Sequence, residues 1–401
     1  MIELAIIIAA FATIIAMVYL KVDINIALLA GASIILAYFS GTSTLSIIKR
    51  TIEDERTLFL LSASFTISIF AELYRRTGAI SEFSRGVASK IKSPKSIIAL
   101  VPALLGLLPI AGGALMSAPI VDAVGRELSI APDLMVFLNV WFRHVLFLFY
   151  PMGQSLIIAS ATFNYDPISL AILQLPIAIA MAVSGFFYMK NFKKRGFENF
   201  KYSMSLWISG TPLFISIISS LVLNGLIGSY GIPIGVSIGI ITLVLLLKPK
   251  REQVLGSLKS RMVISLATSS FSIMLLQHSI VDTGASFAIA DAIKSSSIPL
   301  ILLETIVPGV LSGLTSSTVT GIVTVAPIIS SFHQISIYEA SLIYTSSFIS
   351  YTISPTHLCL IYTSNYFRRG VVSSYKYMLP AALSVILFTV LYYSLLSFFT
   401  Y

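Results

Sequence analysis

The chain has 401 residues, of which 56% are hydrophobic and 11% are charged, and its formal net charge is +9. A soluble domain carries about 25% charged residues. This composition therefore excludes a water-soluble enzyme, a nucleic-acid-binding protein and a disordered chain. The single cysteine, Cys359, excludes an intrachain disulfide and a cluster of several thiolates. The excess of Lys and Arg is explained by loops on the cytoplasmic face of a membrane.

Apolar stretches that are long enough to cross a bilayer recur along the chain, since about 20 apolar residues make one crossing. Plain segments are predicted near residues 3–20, 24–40, 57–74, 168–189, 204–227, 232–247, 262–281 and 373–399. The first contains Glu3 and has no basic residue before it, so we interpret it as a retained helix and not a signal peptide. No soluble domain is expected, and the longest polar stretch, residues 75–96, is predicted to be a loop.

Four further apolar stretches are irregular. Residues 134–162 and 337–363 are each too long for one plain helix and are interrupted by a proline, Pro151 or Pro355. They are predicted to be broken helices. Residues 97–121 and 298–329 are rich in Gly, Pro, Ser and Thr. We predict that these two are re-entrant hairpins, with tips at residues 109–117 and 312–320.

The two halves of the chain resemble each other when one is shifted by about 205 positions, which indicates a duplicated unit. The predicted repeats are residues 1–203 and 204–401. The matching landmarks are Thr77-Gly78 with Thr283-Gly284, Pro94 with Pro299, Ala118-Pro119 with Ala326-Pro327, Pro151 with Pro355, and Leu175-Pro176 with Leu379-Pro380.

The number of crossings sets the relative orientation of the repeats. If both hairpins return to the side from which they enter, each half has five crossings and the second half is inverted. With the amino terminus outside, the cytoplasmic loops then hold 21 of the 26 Lys and Arg residues, in agreement with the positive-inside rule. We therefore predict an inverted repeat in the cell membrane with both termini outside.

Non-helical backbone is costly in lipid and persists only where protein or water surrounds it. Hairpin tips and helix breaks in equivalent places of two inverted halves indicate a site near the midplane. Helix N-termini there favour an anion and C-termini a small cation. The predicted substrate-binding residues are Gly112, Gly113, Ser117, Arg143, Gly153, Gln154, Thr315, Ser316, Ser317, Thr318, Thr356 and His357. The predicted coupling-ion residues are Ala111, Gly112, Pro151, Ser312, Thr315, Ser354 and Pro355.

Arg143 lies about 15 Å into its predicted helix, where a guanidinium needs a partner. It clamps an anionic substrate, pairs with Glu304 or Asp122, or snorkels toward the membrane surface. Glu304 and Asp122 flank the hairpins and are alternatively proton relays or solvated residues at the interface. His144, the neighbour of Arg143, points about 100° away on a helix, so the two are not expected to share a ligand. His357 binds substrate, carries a proton or makes a structural hydrogen bond. The remaining ionisable residues, His278, His333, Glu72 and Glu339, are interpreted as segment-end residues, and Gly231-xxx-Gly235-xxx-Gly239 as a helix-packing face.

Two five-helix halves, each with a hairpin and a helix broken at Pro151 or Pro355, resemble the ion transporter superfamily, which includes gluconate permeases, divalent-anion/sodium symporters and the large subunits of TRAP carriers. The closest overall likeness is to domain-of-unknown-function family 401. The resemblance implies a scaffold domain, a transport domain that holds hairpins and broken helices, elevator movement and a homodimer. The Ser-Asn-Thr tripeptide of the symporters is replaced by Ala111-Gly112-Gly113 and Thr315-Ser316-Ser317.

The leading hypothesis is a secondary transporter that moves a small organic anion, a carboxylate such as a sugar acid, with Na⁺ or H⁺. It is not expected to be an enzyme, to bind nucleic acid or to need a cofactor or a metal other than Na⁺. The lipid bilayer and a second copy of the chain are its other expected partners. Three alternatives remain: a cation/proton exchanger, an intramembrane hydrolase that uses Ser33 or Ser286, and a non-transporting membrane scaffold.

Overall fold

The computed structural model describes residues 2–20, 22–107, 113–190, 192, 204–285, 287–288, 299–331 and 333–400. Apart from short 3-10 turns, the regular structure of these residues is α-helical. The helices are α1 Ile2–Tyr19, α2 Ile24–Phe39, α3 Thr44–Glu53, α4 Glu55–Arg76, α5 Ala79–Lys90, α6 Pro94–Gly106, α7 Ala114–Glu127, α8 Pro132–Phe149, α9 Gln154–Phe163, α10 Pro167–Phe187, α11 Leu206–Ile227, α12 Gly231–Leu247, α13 Arg251–Leu258, α14 Arg261–Val281, α15 Leu300–Thr315, α16 Thr318–Ser330, α17 Ile337–Ile353, α18 Leu358–Tyr366 and α19 Tyr375–Thr400.

The helices have the length and surface of membrane spans. Six helical stretches of the described chain are long and apolar enough to cross a bilayer: Glu55–Arg76, Pro132–Phe163, Pro167–Phe187, Leu206–Leu247, Arg251–Val281 and Val371–Leu396. Large apolar side chains lie on the outside, such as Trp207 at 82% exposure and Leu226 at 73%. Such surfaces suit lipid and not water. The prediction of an all-α membrane protein is confirmed.

Contacts between distant segments define one end of the bundle, which we call the basic end. There the Gln253 side chain donates to the carbonyl oxygen of Arg76 at 2.7 Å. The Lys376 ammonium pairs with the carboxylate of Asp133 at 3.0 Å. The described Lys and Arg residues that flank the helices at this end are Arg75, Arg76, Arg85, Lys90, Lys92, Lys95, Arg126, Lys190, Lys248, Lys250, Arg251, Lys259, Arg261, Arg368, Arg369 and Lys376.

We call the opposite end of the bundle, where α4 begins, the acidic-cap end. The Tyr230 hydroxyl donates to the carbonyl oxygen of Glu55 at 3.0 Å, and Arg50 pairs with Asp282 at 3.2 Å. Of the described Lys and Arg residues, Lys49, Arg50 and Arg56 lie here. The positive charge of the described chain is therefore concentrated at one end of the bundle.

The prediction that residues 75–96 form a loop is wrong, because α5 occupies Ala79–Lys90. Ile80 and Phe83 are buried, while Arg85 is exposed. An amphipathic helix of this length has a low mean hydropathy, so a window that averages both faces misses it. The short helix α3 was missed for the same reason, whereas α13 was missed because it is polar and buries only Ser257.

Helices α11 and α12 pack closely through glycine. A methyl group added at Gly235 would lie 2.2 Å from the backbone nitrogen of Ser220, and one at Gly239 would lie 2.4 Å from Cβ of Ser216. The predicted packing role of these glycines agrees with this geometry. Both halves of the chain also have the same order of elements: two antiparallel helices, a third long helix, a hairpin, a broken helix and a final long helix.

The close approach gives a testable stability difference. We expect Gly235→Ala to destabilise the protein by about 1–3 kcal/mol, because the backbone of α11 must move away. Gly225→Ala on α11 is the matched control, since a methyl group there meets nothing within 4 Å. Thermal unfolding in detergent measures both, and equal midpoints for the two variants would contradict the close contact.

Candidate functional site

The tip of the second hairpin meets the break in the second broken helix. Ser316 caps α15 with a left-handed φ of 52°. Its hydroxyl lies 2.7 Å from the Ser354 hydroxyl and is also hydrogen-bonded to Thr356. The Ser354 hydroxyl donates to the carbonyl oxygen of Gly313 at 2.6 Å. The structure thus brings together Ser316, Ser354 and Thr356, which we call the hydroxyl cluster.

The second hairpin tip is shorter than the predicted residues 312–320, because α15 continues to Thr315 and α16 begins at Thr318. Ser317 closes the turn by donating its N–H to the carbonyl oxygen of Ser312 at 3.2 Å. The hydroxyls of Thr318 and Thr320 are buried and have no hydrogen-bond partner. Buried polar groups that lack a hydrogen-bond partner indicate a place where water, an ion or a ligand binds.

Tyrosine hydroxyls satisfy backbone carbonyls that precede the two breaks. Because Pro151 and Pro355 have no N–H, helical hydrogen bonding fails beside them. The Tyr344 hydroxyl donates to the carbonyl oxygen of Leu148 at 2.9 Å. The Tyr375 hydroxyl donates to that of Ile353, also at 2.9 Å. These bonds give the two carbonyl oxygens the hydrogen-bond donors that non-helical backbone requires inside a membrane.

The first of these bonds is testable. We expect Tyr344→Phe to lower stability by about 1–3 kcal/mol, because the buried Leu148 carbonyl loses its donor while the ring remains. Tyr362→Phe is the control, since Tyr362 is 42% exposed. The measurement is the denaturation midpoint in detergent. A Tyr344→Phe midpoint equal to that of the wild type would show that the bond contributes nothing.

The first break has a different environment from the second. Gly153 donates its N–H to the carbonyl oxygen of Tyr150 at 2.8 Å, and Gln154 then begins α9. Tyr150 and Pro151 line an apolar cavity of about 270 Å³ together with Leu107 and residues of α8, α10 and α11. None of the described hydrogen bonds joins Gln154 to the hydroxyl cluster.

Arg143 lies where the first hairpin meets the second break. It is 5% exposed in α8. A methyl group added at Gly106, the last residue of α6, would lie 2.0 Å from the Arg143 carbonyl oxygen, so the hairpin packs directly on this turn. The Arg143 guanidinium interacts electrostatically with His144, His357 and Tyr351. A buried positive charge with histidines around it is suited to an anion.

The two carboxylates proposed as structural partners of Arg143 have other neighbours. Asp122 pairs with Arg126 at 2.9 Å. Glu304, which is 5% exposed, lies beside the carboxyl group of Glu339. Glu339 in turn caps the start of α17 and contacts His333 at 2.7 Å. Glu304 is buried and Glu339 is half-buried, and two adjacent carboxyl groups disfavour a second negative charge.

His144 and His357 face each other across α8 and the second break. Their ring centroids are 5.1 Å apart. Nδ1 of His144 is 2.7 Å from the carbonyl oxygen of Val140. Nε2 of His357 is buried and has no hydrogen-bond partner. Although Arg143 and His144 leave α8 in different directions, His357 lies close enough to interact with both.

The described part of the first hairpin is tied to both broken helices. The Ser117 hydroxyl donates to the side-chain oxygen of Asn139 at 2.6 Å. The Asn139 amide donates to the carbonyl oxygen of Ala114 at 2.8 Å and to the Thr363 hydroxyl at 3.2 Å. Ser117 therefore lies in the first turn of α7 and not at a tip. Gly113 precedes α7, whereas the predicted site residues Ala111 and Gly112 lie outside the described residues.

A polar cavity of about 490 Å³ opens at the acidic-cap end. Its lining includes Arg50, Arg56, Gln277, His278, Asp282 and Ser330. Asp54 lies 3.8 Å from His278. Burial disfavours the charged form of Asp54, but the Thr57 N–H and the Arg56 charge outweigh it and lower its pKa. Sequence reasoning missed this cavity and also Asn139, because neither has a local motif.

Comparison with known proteins places the chain in a family. A family profile described as a protein of unknown function, DUF401, matches residues 4–395. A search of curated proteins gives no match. The matched range contains both hairpins, both breaks and every site residue described above, so the predicted family is confirmed. The chain belongs to the DUF401 family.

Proposed function

We propose that the protein is a secondary active transporter of a small organic anion, a carboxylate of the sugar-acid type. The observation that carries this proposal is the buried guanidinium of Arg143 between the first hairpin and the second helix break. Ionisable residues buried inside membrane proteins are costly and mark substrate and ion pathways, so Arg143 is a functional-site candidate. Arg143 would bind the carboxylate through two parallel hydrogen bonds.

The surrounding groups suit the same ligand. Helices α7, α9, α16 and α18 begin at the tips and breaks, and helix N-termini attract anions. The hydroxyl cluster and Thr318 offer donors for the hydroxyl and carboxyl oxygens of a sugar acid. His357 offers a further polar nitrogen beside Arg143.

The transport movement follows from the resemblance to the ion transporter superfamily. In that arrangement α1, α2, α11 and α12, with or without α10 and α19, belong to a scaffold that forms a homodimer, and the hairpins and broken helices move as an elevator. The repeated order of elements supports inverted repeats. By the positive-inside rule the basic end faces the cytoplasm, which leaves both termini outside the cell membrane.

Two features support different coupling ions. Hydroxyl and carbonyl oxygens around Ser312, Ser354 and Gly313 are the hard ligands that Na⁺ prefers. The carboxyl pair of Glu304 and Glu339 instead favours H⁺. The second feature also supports the nearest alternative, a cation/proton exchanger. A cation/proton exchanger would need a buried Asp or Glu at both breaks, and neither residues 150–155 nor residues 354–357 contain one, which favours the anion transporter.

Uptake by the purified protein in proteoliposomes tests the function. Vesicles receive imposed Na⁺, H⁺ or potential gradients and a panel of radiolabelled carboxylates. We expect at least one sugar acid or related carboxylate to accumulate against its gradient. Uptake of cations in exchange for protons, with no carboxylate movement, would support the exchanger. The hydrolase alternative is tested by measuring the turnover of Ser33→Ala, and an unchanged turnover would exclude Ser33 as the nucleophile. Ser33 is exposed on α2, whereas Ser286 lies outside the described residues.

A further inference from the structure

Three metal-binding side chains converge at the second break. His144 comes from α8, His357 from the break and Cys359 from the first turn of α18. One ligand atom from each lies within 4.8 Å of the other two, and all three residues are at most 5% exposed. Such a group of two imidazoles and one sulfur is a donor set that borderline and soft metal ions prefer.

The hydrogen bonds around the cluster leave the required donor atoms available. The Val140 carbonyl can only accept, so His144 donates its Nδ1–H to it and presents Nε2 as a lone-pair donor. Metal-binding histidines usually have such a second partner, which fixes the ring. Nε2 of His357 is buried without any hydrogen-bond partner. Cys359 is a free, buried cysteine in the first turn of α18, and its sulfur is in no disulfide.

We propose that His144, His357 and Cys359 form a binding site for a divalent transition-metal ion of the zinc type. Tetrahedral zinc with these ligands separates the donor atoms by about 3.3–3.6 Å, given Zn–N and Zn–S bonds of about 2.0 and 2.3 Å. The present separations, up to 4.8 Å, are longer than these, so the side chains rotate inward when the ion binds. The thiolate supplies one negative charge to the site.

Three protein ligands leave the fourth position of a tetrahedral ion open. Arg143 interacts electrostatically with both histidines, so the loaded site would carry net positive charge and attract an anion. A carboxylate oxygen of the transported anion would take the fourth position. This last step rests on the proposed function, whereas the metal site itself does not.

Cobalt(II) substitution tests the site in the full-length protein in detergent, without any transport assay. We expect Co²⁺ to bind with a thiolate-to-cobalt charge-transfer band and tetrahedral visible bands, and Zn²⁺ to displace it. The chain has one cysteine, so Cys359→Ser must remove the charge-transfer band. His357→Ala should weaken binding at least tenfold. His278→Ala is the matched control, because His278 lies at the acidic-cap end, and it should bind as the wild type does.

Folding of each variant is checked by size-exclusion profile and thermal midpoint. A wild-type protein without the charge-transfer band, or a folded Cys359→Ser variant with an unchanged spectrum, overturns the metal site. The fourth ligand is tested by adding carboxylates to the cobalt-loaded protein, which should shift the visible bands. A cobalt spectrum that no carboxylate alters overturns that step alone, and transport by a protein that binds no Co²⁺ leaves the transporter proposal intact.

Discussion

Replacing Arg143 by glutamine is expected to reduce carboxylate uptake at least about 100-fold, which corresponds to about 3 kcal/mol of lost charge-assisted hydrogen bonding. Arg143→Lys should restore little of the uptake, because an ammonium group lacks the fixed fork with which a guanidinium binds both carboxylate oxygens. The measurement is initial uptake of the best radiolabelled carboxylate into proteoliposomes, with the reconstituted protein quantified.

The matched control for Arg143 is Arg85→Gln. The Arg85 side chain is 51% exposed at the basic end and contacts Glu82 at 3.4 Å, so its loss should leave uptake near the wild-type rate. Ligand-induced thermal stabilisation separates binding from folding, since a folded Arg143→Gln protein should no longer be stabilised by the carboxylate. Wild-type uptake by Arg143→Lys would mean that Arg143 has a structural role and not a binding role.

Replacing Glu304 by glutamine is expected to uncouple uptake from protons. Glu304 is buried, and the Glu339 carboxyl group lies beside it, so burial first and the neighbouring charge second disfavour a negative charge on Glu304. Glutamine keeps the shape of the side chain but does not titrate. Uptake at equal internal and external pH should persist, whereas its stimulation by an inward proton gradient should disappear.

Glu3→Gln is the control for Glu304, because Glu3 is exposed on α1. It should keep the response to the proton gradient. If Glu304→Gln retains that response, the carboxyl pair is not the coupling site. If uptake by the wild-type protein responds to Na⁺ and never to pH, the coupling site is instead the group of oxygens near Ser312 and Ser354.

The sequence predicted most helices to within a few residues, because hydropathy and proline chemistry are local properties. The predicted break at Pro151 separates α8 from α9, and that at Pro355 separates α17 from α18. Family membership was also predictable from this arrangement and is confirmed by the match over residues 4–395. The amphipathic helix α5 was missed, because its burial is decided by what packs on one face.

By itself the sequence determined where the backbone cannot remain helical and therefore in which segments the site is predicted. Only the tertiary structure decided which side chains meet there. Asn139 bonds to Thr363 across 224 positions of the chain, and His144 faces His357 across the two halves. No local pattern specifies these pairs, since they depend on how α8 packs against the second broken helix. The same packing decides that Glu304 lies beside Glu339 and not beside Arg143.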